Sequence, residues 1–149
     1  MPWSYRHAKR EWRSFLDDVR EIACTPSDNV AYTMTEGVFR AFRGRLTPQQ
    51  ALDFAQDLPA LPRALFVQNW QLADPVPWAD PATILAEVKA LRKNHNFAPD
   101  NAVEAVSFAL HRAVRPDILR RALAKIGPEA QAFWQLSGYS DKDLSPGFG

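Results

Sequence analysis

The chain has 149 residues, 18 basic and 17 acidic, for a net charge of +1, with 46% hydrophobic and 23% charged residues. A chain of that length forms one compact domain burying roughly 70% of its unfolded surface, and its ordinary composition excludes disorder throughout. The balance of 9 basic and 9 acidic residues through Ala79, then 9 and 8, disfavours a nucleic-acid partner, which is held mainly through neutralised phosphates.

The lead-in Met1 to Arg10 is polar, basic and aromatic and contains no signal-peptide core. Trp12, Phe15, Leu16, Val19, Ile22 and Ala23 follow at steps of three and four, one face of a first helix. Thr25-Pro26-Ser27-Asp28 stops that helix and caps the next. The second helix carries Val30, Met34, Val38, Ala41 and Phe42 on one face and Tyr32 and Phe39 on another, as a central helix does. Gly44 is expected to end it. Thr47-Pro48-Gln49-Gln50 reads as a capping box with proline at the first helical position. It opens a third helix through Leu58, which Pro59 stops. Pro62 is expected to start a fourth helix with Leu65, Phe66 and Trp70.

Asp74 to Trp78 is a proline-rich linker. Asp80-Pro81 then starts a fifth helix carrying Ile84, Leu85, Val88 and Leu91. A longer turn, Lys93 to Pro99, leads to a sixth with Val103, Val106, Ala109, Leu110 and Val114. Pro116 starts the seventh, with Leu119, Leu123 and Ile126, and Pro128 the eighth, with Ala130, Phe133 and Trp134. No segment alternates as a strand does.

The second half echoes the first. Leu16 and Leu85 are 69 positions apart, Pro48 and Pro116 are 68 apart, and so are Leu58 and Ile126. The expected fold is therefore an all-α, internally duplicated helical bundle of about eight helices in two four-helix repeats. Repeat one spans 11–73, the linker 74–79, repeat two 80–136, and a mobile tail 137–149.

Val38-Phe39-Arg40-Ala41-Phe42-Arg43-Gly44-Arg45-Leu46-Thr47-Pro48 resembles the "LRALRDRLTP" stretch of the DUF2267 family. Gln56-Asp57-Leu58-Pro59 with Arg63, Phe66, Trp70 and Pro77 is similar to its "QLP…R…Y…GW…P" stretch. The chain departs from the family in having Gly44 where Asp is usual and Asn69 where Gly often precedes Trp. The resemblance covers roughly residues 11 to 136. It implies a helical, duplicated protein of the prokaryotic cytoplasm with an uncharacterised role, and it carries over no catalytic residue.

Cys24 is the only cysteine, so no intramolecular disulfide forms and a reducing, cytoplasmic location is expected. Placed at a helix C-terminus, where the dipole disfavours a thiolate, it reads as core filler. No run of about 18 apolar residues is present, so no membrane association is expected. His7, His95 and His111 stand outside any metal-ligand spacing. No nucleophile elbow, phosphate loop or dinucleotide fingerprint occurs. The reading is no catalytic residue, no metal and no cofactor. Glu36, between Tyr32 and Phe39, would need Arg40 or Arg43 as a partner if buried.

The candidate interaction surface consists of two arginine clusters and two tryptophans. Arg40, Arg43 and Arg45 close the second helix, and Arg112, Arg115, Arg120 and Arg121 occupy the matching region of the second half. Trp3 and Trp78 lie outside the helical periodicity, where an exposed Trp suits an interface. Trp70 and Trp134 are core candidates. The expected role is a non-enzymatic protein-interaction or regulatory module with an unknown protein partner, a homodimer being one option. The alternative is a small ligand at the repeat interface, followed by an enzyme of unrecognised type and by RNA or anion binding through the arginines.

Overall fold

The computed structural model describes residues 3–90 and 99–145, and all regular structure among them is helical. A single turn, α1 (Trp3–Arg6), precedes α2 (Ala8–Ala23), α3 (Asp28–Arg43), α4 (Pro48–Gln56) and α5 (Ala60–Val67). After an extended segment come α6 (Pro81–Ala90), α7 (Ala102–Ala113), α8 (Pro116–Ile126) and α9 (Pro128–Phe133). The expected turn Lys93 to Pro99, with His95, falls almost wholly outside the described residues.

Local chemistry sets the boundaries. The Ser27 hydroxyl accepts from the Val30 amide at 3.2 Å and caps α3. At α4 both halves of the capping box form, Gln50 N to Thr47 Oγ1 at 3.2 Å and Thr47 N to Gln50 Oε1 at 2.9 Å. Asp80 Oδ1 accepts from Thr83 N at 2.7 Å where α6 begins. The α5 boundary differs from expectation: Pro59 is its N-cap and Pro62 sits inside its first turn, where a missing N–H costs nothing. Cys24 is not core. It is exposed and takes the left-handed cap position of α2 at φ 57°, which satisfies a helix-end carbonyl. Asn69, standing where the resembled family often has Gly, is also left-handed at φ 55°, a conformation Asn tolerates better than most residues.

α2 lies along α7, α3 against α6 and α7, and α4 against α8. Taking the halves as the sequence divides them, the first helix of each rests on the second helix of the other. The match is uneven, since α5 reaches α2 and α3 whereas α9 rests mainly on α8. Close approach is built from small side chains: a Cβ on Gly37 of α3 would come within 3.2 Å of the Val88 carbonyl oxygen in α6. α3 is buried on both faces, by Met34, Val38 and Phe42 and by Thr35 and Phe39.

The core is aromatic at its centre. Phe42 meets Phe54 at 5.0 Å, Trp134 at 5.2 Å and Phe133 at 5.1 Å between ring centroids, and Phe66 joins Phe54 at 5.2 Å. Such pairs add edge-to-face attraction to burial. Trp134 is fully buried, whereas Trp70 is half-buried.

Two expectations for the connecting segments change. Trp78 does not stand out from the linker. Its ring packs at 6.0 Å from Phe42 and 6.4 Å from Phe133, because the linker crosses the end of α3, where Val76 N donates to Gly44 O at 2.9 Å. The segment from Ser137 does not trail away before Ser145. Tyr139 packs its ring 5.3 Å from Phe108 and donates its hydroxyl to Glu104 at 3.1 Å. Arg112 holds the Asp143 carbonyl at 2.9 Å and Asp18 of α2 at 3.0 Å. Ser140 and Asp143 close a turn by reciprocal side-chain-to-backbone bonds of 2.9 and 3.2 Å. Residues 146–149 lie outside the described set.

Candidate functional site

The first arginine cluster is structural, which corrects its reading as a surface. Arg45 has a side chain 1% exposed, forms a two-pronged pair with Glu87 of α6 at 2.9 Å in both arms, and donates to the Ala41 carbonyl at 2.8 Å. Arg43 is also buried and donates to the Phe66 and Gln68 carbonyls at 2.9 and 3.2 Å, with its guanidinium 5.5 Å from the Trp70 ring centre. Both cations close helix ends and chain turns that would otherwise leave carbonyls unpaired. Arg40 is half-buried and faces Glu36 at 3.5 Å, the partner that Glu36 requires. With Arg43 and Arg45 buried, no exposed arginine surface joins the two clusters.

In the second cluster the four residues separate. Arg112 is committed to Asp18 and the 137–145 segment, as described. Arg115 and Arg121 are exposed and share Asp117 at 3.3 and 3.8 Å. Arg120 is exposed and has no protein partner among the described residues. Trp78 is half-buried against the core, and the Trp3 side chain lies outside the described set.

Arg120 stands at the mouth of a pocket of about 480 Å³ formed by α8, α9, the end of α7 and the 137–145 segment. Pro116, Pro128, Ala132 and Leu144 form its apolar wall, over a floor of the buried side chains of Leu119, Leu123 and Trp134. The polar lining groups are His111, Arg120, Gln131, Gln135 and Asp141. Gly127 shapes it. At φ 141° it turns α8 into α9 in one residue, a conformation that favours glycine. The two proline-started helices form two sides of the pocket.

His111 is held for one role. Its Nδ1 lies 2.8 Å from the Ser107 carbonyl, to which an Nδ1–H donates. Burial lowers its pKa, with the Ser107 carbonyl opposing, so the ring is neutral at pH 7. That leaves Nε2 as an acceptor that no protein group among the described residues engages. Ser107 Oγ in turn donates to the Trp134 carbonyl at 2.7 Å, so α7, His111 and the pocket floor are tied together. The Trp134 indole N–H is buried and has no acceptor among the described residues. The side chains of Arg120, Gln131, Gln135 and Asp141 likewise carry no protein partner among the described residues.

Other concavities are less suited. The cleft between α4 and α8, where the expected repeats meet, holds only about 50 Å³, space for one or two waters. A groove of about 570 Å³ beside α1 is lined by Arg6, His7, Lys9, Arg10, Trp12, Arg13 and Leu16, and its Arg13 already binds Asp28 and Asp17 at 2.7 and 2.8 Å. Among the described residues no helix is long and apolar enough to cross a membrane.

Sequence reasoning met His111, Arg120 and Trp134 separately and passed over Gln131, Gln135, Asp141 and Leu144. Residues 12–133 match the family model described as "Uncharacterized conserved protein (DUF2267)". No curated protein matches the chain.

Proposed function

The chain belongs to the DUF2267 family, whose description assigns no activity, and on that premise we propose that it is a non-enzymatic binding module working through the pocket between α8, α9 and residues 137–145. The observation that carries this reading is the contrast between an apolar floor and a set of polar lining groups left unpaired by the protein. Ligand sites have this character, mostly apolar with a few placed polar groups, and volumes of about 300–1,000 Å³. Among the described residues the lining contains no serine, cysteine, threonine or lysine, and its Asp141 and His111 have no activating partner beside them, which favours binding over covalent catalysis. The ligand reading therefore moves away from the expected repeat interface. A cytoplasmic location is part of the proposal, supported by the lone cysteine.

A protein partner is the second reading. Leu72 and Val76 favour it, being 71% and 47% exposed on the extended segment between α5 and α6.

Native mass spectrometry of the chain isolated gently from its own cell extract tests the first reading, with Ala132→Trp as the comparison. Ala132 is exposed and lines the pocket, so a tryptophan there fills the mouth without opening the core. A discrete bound small mass on the natural chain, absent from Ala132→Trp, is the expected result. A bare chain in both, or the same mass on both, contradicts it.

A further inference from the structure

We infer that the pocket selects a small amphipathic anion, with an apolar body against Pro116, Ala132 and Leu144, an acidic group on Arg120, and a hydrogen-bond donor on His111 Nε2. The inference rests on the binding reading above and adds the chemical class of the ligand.

Charge sets the polarity of the ligand. Arg115 and Arg121 on the same helix spend their charge on Asp117, whereas the Arg120 guanidinium lines the pocket with no carboxylate within ion-pair distance among the described residues. A guanidinium beside apolar walls is a planar receptor for a carboxylate, sulfonate or phosphate oxygen pair. Asp141, on the 137–145 segment, carries the opposite sign and is not paired with Arg120. It repels an acid placed on its own side and so orients the ligand with its acid toward α8. His111 is a neutral imidazole with Nδ1–H committed to Ser107, so what it offers the ligand is a lone pair. That fits a hydroxyl or N–H on the apolar body and not a second acid group. The unpaired amides of Gln131 and Gln135 both donate and accept, and they tolerate either end.

Two dyes with nearly the same apolar body, one bearing an acidic head group and one without it, test this. Anilinonaphthalene sulfonate carries an acid and an N–H, and N-phenylnaphthylamine keeps the N–H without the acid. Fluorescence titration on the intact chain is expected to show saturable sulfonate binding that Arg120→Gln weakens about tenfold, the loss of one charge-assisted contact. Arg121→Gln is expected to leave it unchanged, and Arg120→Gln to leave binding of the neutral dye unchanged. Arg120 and Arg121 are both exposed, so neither variant threatens folding. If both dyes bind but Arg120→Gln and Arg121→Gln act alike, the anion class is overturned while the pocket stands. If Ala132→Trp leaves binding of both dyes intact, or neither dye binds, the pocket reading itself fails.

Discussion

Arginines gather at and beyond the end of the second helix of each half, α3 and α7, and, Arg112 apart, the two sets behave in opposite ways. After α3, Arg43 and Arg45 turn inward, satisfy four carbonyl or carboxylate groups between them, and become part of the core. Beyond α7, Arg115, Arg120 and Arg121 stay in solvent, and Arg120 is left with nothing to hold. The difference lies in the partners. The end of α5 and the residue after it bring carbonyls to Arg43, and α6 brings Glu87 to Arg45, whereas α8 leads away into the pocket wall. A cation becomes structural when tertiary neighbours offer acceptors in a place water cannot reach, and it is available to a ligand otherwise.

The comparison can be broken most sharply at its buried side. Glu87→Ala leaves the Arg45 guanidinium buried and unpaired and is expected to cost about 2–4 kcal/mol, somewhat below the full penalty for a buried pair because the Glu87 side chain is 41% exposed. Urea unfolding checks this, and a loss under 0.5 kcal/mol would place Arg45 with the exposed set. Gly127→Ala is next, at about 1–3 kcal/mol, because any side chain is strained at its backbone angle. The same change should weaken binding of the sulfonate dye by moving α9. Arg43→Ala is expected to cost about 2 kcal/mol through its two carbonyl bonds, whereas Arg121→Ala should stay within about 0.5 kcal/mol.

The smallest effects sharpen the same contrast through pH. Asp18, paired with Arg112 between α2 and α7, is pushed up to about 6 by burial, which outweighs the arginine. The folded state then binds a proton more readily than the unfolded one. This group's contribution is most favourable below the ordinary carboxylate range and weakens as pH rises from about 4 to about 6. Asp18→Asn should remove that slope, seen as melting temperatures of the two proteins diverging across the window. Asp28 is the opposite case. Arg13 holds it down to about 2, so its contribution is present above the ordinary carboxylate range and is lost as pH falls toward 2. Asp28→Asn should flatten the acid limb alone.

Helix starts and the core of the first half are legible in the sequence because they depend on neighbours. Thr47 to Gln50 spells its capping box, and the two apolar stripes of α3 announce a central helix. What depends on distant segments is not legible in the same way. Nothing near Arg43 says that the carbonyls of Phe66 and Gln68 will reach it. The docking of residues 137–145 had a signal that periodicity alone passes over. Glu104, Phe108 and Arg112 stand four apart, one stripe along α7, and each holds a part of that segment. Trp78 had one too, since a tryptophan in a proline-rich linker has to be covered by something. The pocket had none, because its walls come from four separate stretches and its corner from the single residue Gly127.

The central claim is that the second half keeps a ligand site open between α8, α9 and residues 137–145. The most direct test is an NMR titration of the intact chain with anilinonaphthalene sulfonate, following the side-chain amides of Gln131 and Gln135 and the backbone amides of Ala132 and Leu144. The account predicts that these signals move together and saturate. Shifts confined to the groove at Arg6, Lys9 and Arg10, with the Gln131 and Leu144 signals still, would contradict it.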